Sequence, residues 1–279
     1  MDQVIQAQTI AKSLHRELQQ TPFSGRILGV FNRACNLVDD RRRVIALALP
    51  EIGKGPFAVT LPPVPALFKT LTAGQPARAN AHTVTVGPWH ILLDGAEVWE
   101  SQIDFTRPPT DLEPLLAAVQ PYANWPTPAE DTPMARRMAE QGQTGAAKLL
   151  AALQPPVEGK TLSAAVERLA GLGQGLTPAG DDFLLGVIAA LWLLHQTGLP
   201  VIIAGAAIPK TGILSGAFLQ AAARREFMEP WHALISAAKH RDEANINTAV
   251  QWIADFGASS GTDALAGFAR IILNYSQLL

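Results

Sequence analysis

The chain has 279 residues, 48% hydrophobic and 16% charged, which is enough for one large or two ordinary domains with buried cores and too apolar for a disordered chain. A net charge of −2 provides no broad electropositive surface, and Arg41-Arg42-Arg43 is the main basic cluster, so nucleic-acid binding is disfavoured. The single cysteine, Cys35, excludes an internal disulfide framework, and the longest apolar stretch, residues 183–194, is too short to span a bilayer.

Residues 1–20 are polar and amphipathic without an apolar core run, so no signal peptide is read there and a cytoplasmic location is expected. From 26 to 100 the segments are short, β-branched and broken by proline or glycine: 26–31, 43–49, 57–61, 82–86 and 89–93. They read as antiparallel strands of a sandwich or small barrel. Alternation around Cys35 makes it a buried structural thiol, and Arg41-Arg42-Arg43 after Asp39-Asp40 reads as a solvated hairpin turn. Asp94-Gly95 signals a hairpin between His90-Ile91-Leu92-Leu93 and Ala96-Glu97-Val98-Trp99. A helix is expected after Thr110-Asp111, followed by a proline-rich linker over 121–133.

Beyond the linker the period becomes helical, with helices predicted over 133–140, 144–153, 162–172, 178–196, 211–227, 230–240, 243–256 and 260–278. Only 199–204 breaks the pattern, as a short strand or buried turn. The expected architecture is α+β, with a β-rich domain over 1–125 and an α-helical domain over 126–279.

The helical half uses one pattern twice. Gly180-Asp181-Asp182-Phe183-Leu184-Leu185-Gly186 and Gly261-Thr262-Asp263-Ala264-Leu265-Ala266-Gly267 both read Gly-x-Asp-x-Leu-x-Gly at a helix start. Such starts offer unpaired N–H donors and a partial positive charge. In the first copy, Thr177 precedes proline and suits an N-cap, while Pro178 suits the first helical position. Gly180 admits a ligand or a second backbone, and Gly173 and Gly175 can take positive φ and aim N–H groups into one concavity. In the second copy Ser260 and Asp263 approximate a capping box.

Asp182 and Gly186 share one helix face, as do Asp263 and Gly267, so the two helices are expected to cross near their glycines and bring the aspartates to one pocket. The bland alternative is that both aspartates only cap helices and complement the dipole. Three roles stay open for the acidic groups. Asp181 and Asp182 hold Mg²⁺ that bridges to a phosphate oxygen, the carboxylates accept N–H bonds from an amide or amine substrate, or they only cap. The run is neither a Walker loop, since no Gly-Lys-Ser/Thr follows, nor a dinucleotide fingerprint, since no hydrophobic strand precedes it.

Asn36 in a strand and Lys54 between Gly53 and Gly55 are candidates for binding an anionic substrate, with a solvated loop lysine as the alternative for Lys54. The histidines show no metal-ligand spacing, the tryptophans suit core and interface positions, and Arg136-Arg137 suits a solvated helix face. No Ser-His-Asp or Cys-His arrangement offers a covalent nucleophile.

Gly171-Leu172-Gly173-Gln174-Gly175-Leu176-Thr177-Pro178 with Asp181-Asp182 closely resembles the signature of the AllH-like subunit of oxamate carbamoyltransferase. Further segments are similar to that family: Arg33-Ala34-Cys35-Asn36-Leu37, Gly53-Lys54-Gly55-Pro56-Phe57, Thr211 with Ser215 and Leu219, and Ser259-Ser260-Gly261-Thr262-Asp263 with Gly267-Phe268. Arg224-Arg225 departs from it, standing where that family's middle helix closes on a small residue.

The resemblance implies a subunit that works with an FdrA-like protein and a further carbamoyltransferase subunit. The implied reaction moves a carbamoyl group between carbamoyl phosphate and oxamate, giving oxalurate, in allantoin or related purine nitrogen catabolism. That transfer needs a phosphate cradle, donors for a carbonyl oxyanion and an oriented amide nitrogen. Helix starts and glycine loops supply the first two; Ser260 and Gly261 belong to that set with Gly173, Gly175, Thr177, Gly180 and Asp181. Asp182 or Asp263 accepts the amide N–H, one acting as base if the other raises its pKa. The competing readings are a non-catalytic ligand-binding or scaffold subunit and a Mg-dependent acyl-phosphate or nucleotide enzyme.

Overall fold

Apolar residues at alternate positions, and continuous apolar runs where both faces are covered, build a sheet from the first third of the chain. The computed structural model describes residues 3–64, 67–126 and 132–274. It forms two units, Met1–Ile103 with Glu226–Glu229, and Asp104–Arg225 with Pro230–Leu279.

The first unit contains strands β1 (Gln3–Gln6), β2 (Thr9–Ala11), β3 (Phe23–Val30), β4 (Ala34–Asp39), β5 (Val44–Ala48), β6 (Ala58–Thr60), β7 (Pro76–Ala79), β8 (Thr83–Val86), β9 (Trp89–Leu92) and β10 (Glu97–Trp99) in one sheet, ordered β1-β9-β8-β7-β3-β4-β5-β6-β2-β10. Its two ends return to one another. Ala7 donates its N–H to Leu92 at 2.9 Å and Gln8 to Thr60 at 2.8 Å, so the nearly continuous run β1–β2 belongs to both ends and the sheet curls on itself. The expected β domain is thus present. Most pairs are antiparallel, but β1 with β9, β2 with β10 and β5 with β6 are parallel.

Inside the curl, Ile10, Ile27, Cys35, Leu37, Ile45, Val59 and Ile91 are buried. Burial pushes the Cys35 thiol up to about 12, as suits an inert structural cysteine. Helix α1 (Lys12–Gln20) adds Leu14 and Leu18, one turn apart, to this core. It lies in the segment read from the sequence as polar and amphipathic. The basic turn after β4 is a turn, but Arg43 is not solvated: its guanidinium meets Asp39 at 2.7 Å and lies over the Phe23 ring.

The hairpin expected at Asp94-Gly95 is corrected. The turn exists, with Gly95 at φ 83°, but β9 pairs with β8 and β1 while β10 pairs with β2. Turn residues reverse the chain locally, whereas both edges of β9 were already taken.

The second unit is helical: α2 (Glu113–Val119), α3 (Pro133–Ala152), α4 (Gly159–Val166), α5 (Ala179–Leu193), α6 (Leu199–Ala207), α7 (Ile213–Ala223), α8 (Glu229–His240, from Pro230 on), α9 (Glu243–Ala254) and α10 (Ser260–Leu273). Two predicted helices fuse into α3, because Gly142 does not break it: a methyl there would overlap the Trp125 indole, which fills the space. The segment 199–204 is helix α6 and not a strand or turn. Its apolar run suits either state, but the run continues to Ala207 with Pro200 in the first turn, a length and start that suit a helix. Part of the expected linker, 127–131, and the end of the last predicted helix, 275–278, lie outside the described residues. Helices α5 and α10 are buried on most of their surface, which explains why their sequences are apolar around the whole circumference.

Candidate functional site

The site grows from the loop between α4 and α5. Gly171, Gly173 and Gly175 take φ of 73°, 132° and 89°, a region that residues with a Cβ avoid. A methyl at Gly173 would overlap the Ala179 nitrogen, so the loop folds tightly back on the start of α5. Pro178, extended at φ −56° and ψ 143°, is the flanking residue, and its carbonyl accepts the N–H groups of Asp181 at 2.9 Å and Asp182 at 3.2 Å.

The helix therefore starts one residue later than the sequence suggested, and Thr177 is not its cap. The Thr177 hydroxyl instead lies 3.0 Å from that of Ser260. The second copy shifts by one residue in the opposite direction. Ser259 flanks α10, accepting the Asp263 N–H at 2.9 Å, while Ser260 is already helical.

Gly180 and Gly261 do the same job in the two copies. Gly180 donates its N–H to Leu172 at 2.8 Å, Gly261 donates to Phe256 at 3.0 Å, and a methyl on either would overlap a carbonyl of the preceding segment, Leu169 or Ile253. The close approach is that of a second stretch of backbone. One turn further on the helices cross: a methyl at Gly186 would overlap the Ala264 carbonyl, and one at Gly267 the Phe183 carbonyl. Each glycine meets the residue three positions before the other, so the two copies pack reciprocally, as expected from their shared faces.

Three buried carboxylates gather at these helix starts. Asp181 accepts the Gly171 N–H at 2.9 Å and the Thr211 hydroxyl, which ties the glycine loop to the segment leading into α7. Burial raises its pKa, while hydrogen bonds from Thr211, Gly171 and Ser215 pull the other way. Asp182 is 9% exposed, and its Oδ2 has no hydrogen-bond partner. Burial pushes its pKa well above the usual range; hydroxyl bonds from Ser260 and Thr177 oppose this, and the neighbouring charges of Asp263 and Asp181 add to it. Asp263 is 3% exposed and is pushed up to about 6 by burial, opposed by a hydrogen bond from Ser259. Among the described residues no cation is one of the groups acting on these three acids.

The remaining candidates, Asn36 and Lys54, belong to the first unit. Asn36 is buried in β4, opposite Ala46 and Gly29. The Lys54 ammonium lies 3.5 Å from Glu97 and 3.9 Å from Glu229, and the Lys54 backbone N–H donates to the Glu229 carboxylate at 3.1 Å. Among the described residues no three His, Cys, Asp or Glu are grouped to hold a metal ion. Reading motifs alone did not reveal why Thr211, Ser215 and Ser259 matter; a hydroxyl just before or inside a first helical turn is the available signal.

Residues 6–98 match the AllH family N-terminal domain, and residues 169–272 match the oxamate carbamoyltransferase subunit AllH. No solved structure matches the chain. Among the described residues no helix is long and apolar enough to cross a membrane. The first match falls on the curled sheet and the second runs from the end of the α4 segment through the glycine loop and both crossing helices. With both halves matched in this order, the chain belongs to the AllH family.

Proposed function

We propose that this chain is the subunit of a carbamoyl-transferring complex that receives the acceptor amide at Asp182 and Asp263, with an FdrA-like protein and a further carbamoyltransferase subunit as partners. The observation that carries the reading is the unpartnered Oδ2 of Asp182. A buried acceptor without a donor costs stability, of order 1–3 kcal/mol, and such a group is explained when a ligand supplies the missing hydrogen bond. Two acids with no cation beside them suit an N–H donor and repel a phosphate.

In the transfer, the amide nitrogen of oxamate attacks the carbonyl carbon of carbamoyl phosphate. The N–C bond forms, the C–O bond to phosphate breaks, and the amide proton passes to an ionised carboxylate. Burial and the adjacent acid make Asp182 a stronger base than an exposed aspartate, which suits it for taking that proton. Asp263 accepts the second N–H and orients the amide. The positive-φ loop at Gly173 and Gly175 is the natural seat for the phosphate oxygens. Gly180, Gly261, Thr177, Ser260 and Asp181 shape that seat. Asp181 already accepts from Gly171 and Thr211. Asp182 Oδ2 is then the oxygen left open for the substrate.

The test is Asp182→Asn in the reconstituted complex. Asparagine keeps the shape and removes the base, so transfer activity is expected to fall by about 10²–10⁴. Full activity and unchanged oxamate affinity would overturn the catalytic reading in favour of a scaffold subunit.

A further inference from the structure

Residues 198–209 contain no polar side chain, and most of them form α6. A helix that is apolar all round belongs in an interior. Only one side of α6 has one. Pro200, Ile203, Ala204 and Ala207 are buried, whereas Val201 is 58% exposed, Ile202 is 39% exposed, and Gly205, one turn after Val201, is exposed as well. A methyl at Gly205 would meet nothing among the described residues.

Other outward faces of this unit differ. Helix α3 turns Arg136, Arg137, Glu140 and Lys148 to solvent, and α9 turns Glu243, Asn245, Asn247 and Gln251. Lys210, which follows the apolar run, is already met by Glu167 at 3.3 Å. A face with no charge to match selects a partner that is itself uncharged and apolar at its centre. The run also leads straight to the candidate site: a methyl at Gly171 would overlap the Lys210 carbonyl, and Thr211 donates to Asp181. A protein seated on α6 thus lies next to the segment that holds the glycine loop. That position suits another subunit of an enzyme better than a second copy of this chain, and the matched family is that of a subunit.

We infer that the exposed face of α6, centred on Val201 and Ile202, is the docking surface for a non-identical subunit of the complex that presents an apolar, uncharged face. The inference rests on the complex proposed above, but not on its chemistry at Asp182 and Asp263.

Sedimentation velocity tests it on the full chain, alone and with the FdrA-like protein and the further carbamoyltransferase subunit. Alone, the parent chain is expected to sediment as a monomer; with the two subunits, as a complex. Val201→Lys and Ile202→Lys each weaken assembly at least ~10-fold. Met134→Lys, at an exposed apolar residue of α3, leaves it unchanged, and so does Asp182→Asn. Assembly of both α6 variants at parent affinity overturns this inference alone. A self-associated chain that Ile202→Lys turns monomeric assigns the face to a second copy and overturns it. So does a marked loss of thermal stability in the isolated Ile202→Lys chain, which would show the face to be covered from within. A parent chain that joins neither subunit overturns it together with the partners proposed above.

Discussion

Gly186 packs its α-carbon against the carbonyl oxygen of Ala264, and no side chain fits between them. Gly267 stands in the same relation to Phe183, so the crossing of α5 and α10 rests on two backbone contacts related by the internal repeat. This crossing holds Asp182 and Asp263, four residues before each glycine, at one end of the helix pair.

Alanine at either glycine forces the two backbones apart, and neither carbonyl can move as a side chain would. Gly186→Ala and Gly267→Ala are each expected to cost about 3 kcal/mol or more in urea unfolding. Gly205 is the control. It lies inside α6, is exposed, and a methyl there meets nothing, so Gly205→Ala is expected to stabilise by about 0.5–1 kcal/mol. If all three variants unfold alike, the crossing does not have the tightness described.

Thr211 donates its hydroxyl to Asp181, and Gly171 donates its N–H to the other oxygen. Thr211→Val keeps the shape and removes the donor, leaving a buried carboxylate short of a partner. A loss of about 1–3 kcal/mol is expected, with faster amide exchange over 171–177 because the loop loses its anchor to the α7 segment. Thermal unfolding and hydrogen exchange measure the two effects. Unchanged exchange in the loop would mean that Asp181 does not hold it.

The hydroxyls of Thr177 and Ser260 link the two copies and both favour the charged form of Asp182. Ser260→Ala removes one of these donors and raises the Asp182 pKa further. In the reconstituted complex the acidic limb of the kcat/KM profile is then expected to move to higher pH, and Ser260→Thr is expected to restore it. A purely structural role for Ser260 would lower activity without moving that limb.

Much of this arrangement was legible in the residues. The repeated Gly-x-Asp-x-Leu-x-Gly spacing foretold the crossing, because Asp and Gly four apart share a face and a glycine there permits backbone contact. The α+β class followed from the change from short β-branched segments to a helical period, although the two units divide at Ile103 and not near residue 126. What escaped had physical reasons. Thr177 and Ser260 each suited a cap, but the neighbours Pro178 and Ser259 hold the flanking backbone conformation, which freed both hydroxyls for each other. Strand partners escaped because Asp94-Gly95 encodes a reversal and not the identity of the next neighbour. The role of Thr211 escaped because it acts on Asp181 from 30 residues away, a relation that only tertiary packing creates.

Asp263 gives the site a pH signature of definite sign. Its pKa rises from 3.8 to about 6 on folding. Below 3.8 both folded and unfolded chains hold the proton; between 3.8 and about 6 only the folded chain holds it, so its contribution to stability is lost as pH rises through that window. Burial moves Asp181 and Asp182 in the same direction. Asp263→Asn removes the ionisation cost but keeps most of the shape. It is expected to flatten the stability profile between pH 4 and pH 7 and to exceed the parent chain at pH 8 by about 1–3 kcal/mol in denaturant unfolding. On the proposed reaction, transfer activity is expected to run the opposite way, because an ionised Asp263 accepts the amide N–H more strongly than a protonated one. The parent complex should gain activity through about pH 6, and the variant should lose both that limb and most of its turnover. A variant less stable than the parent at pH 8 would show that Asp263 is ionised at no cost, with a partner that the present geometry does not include.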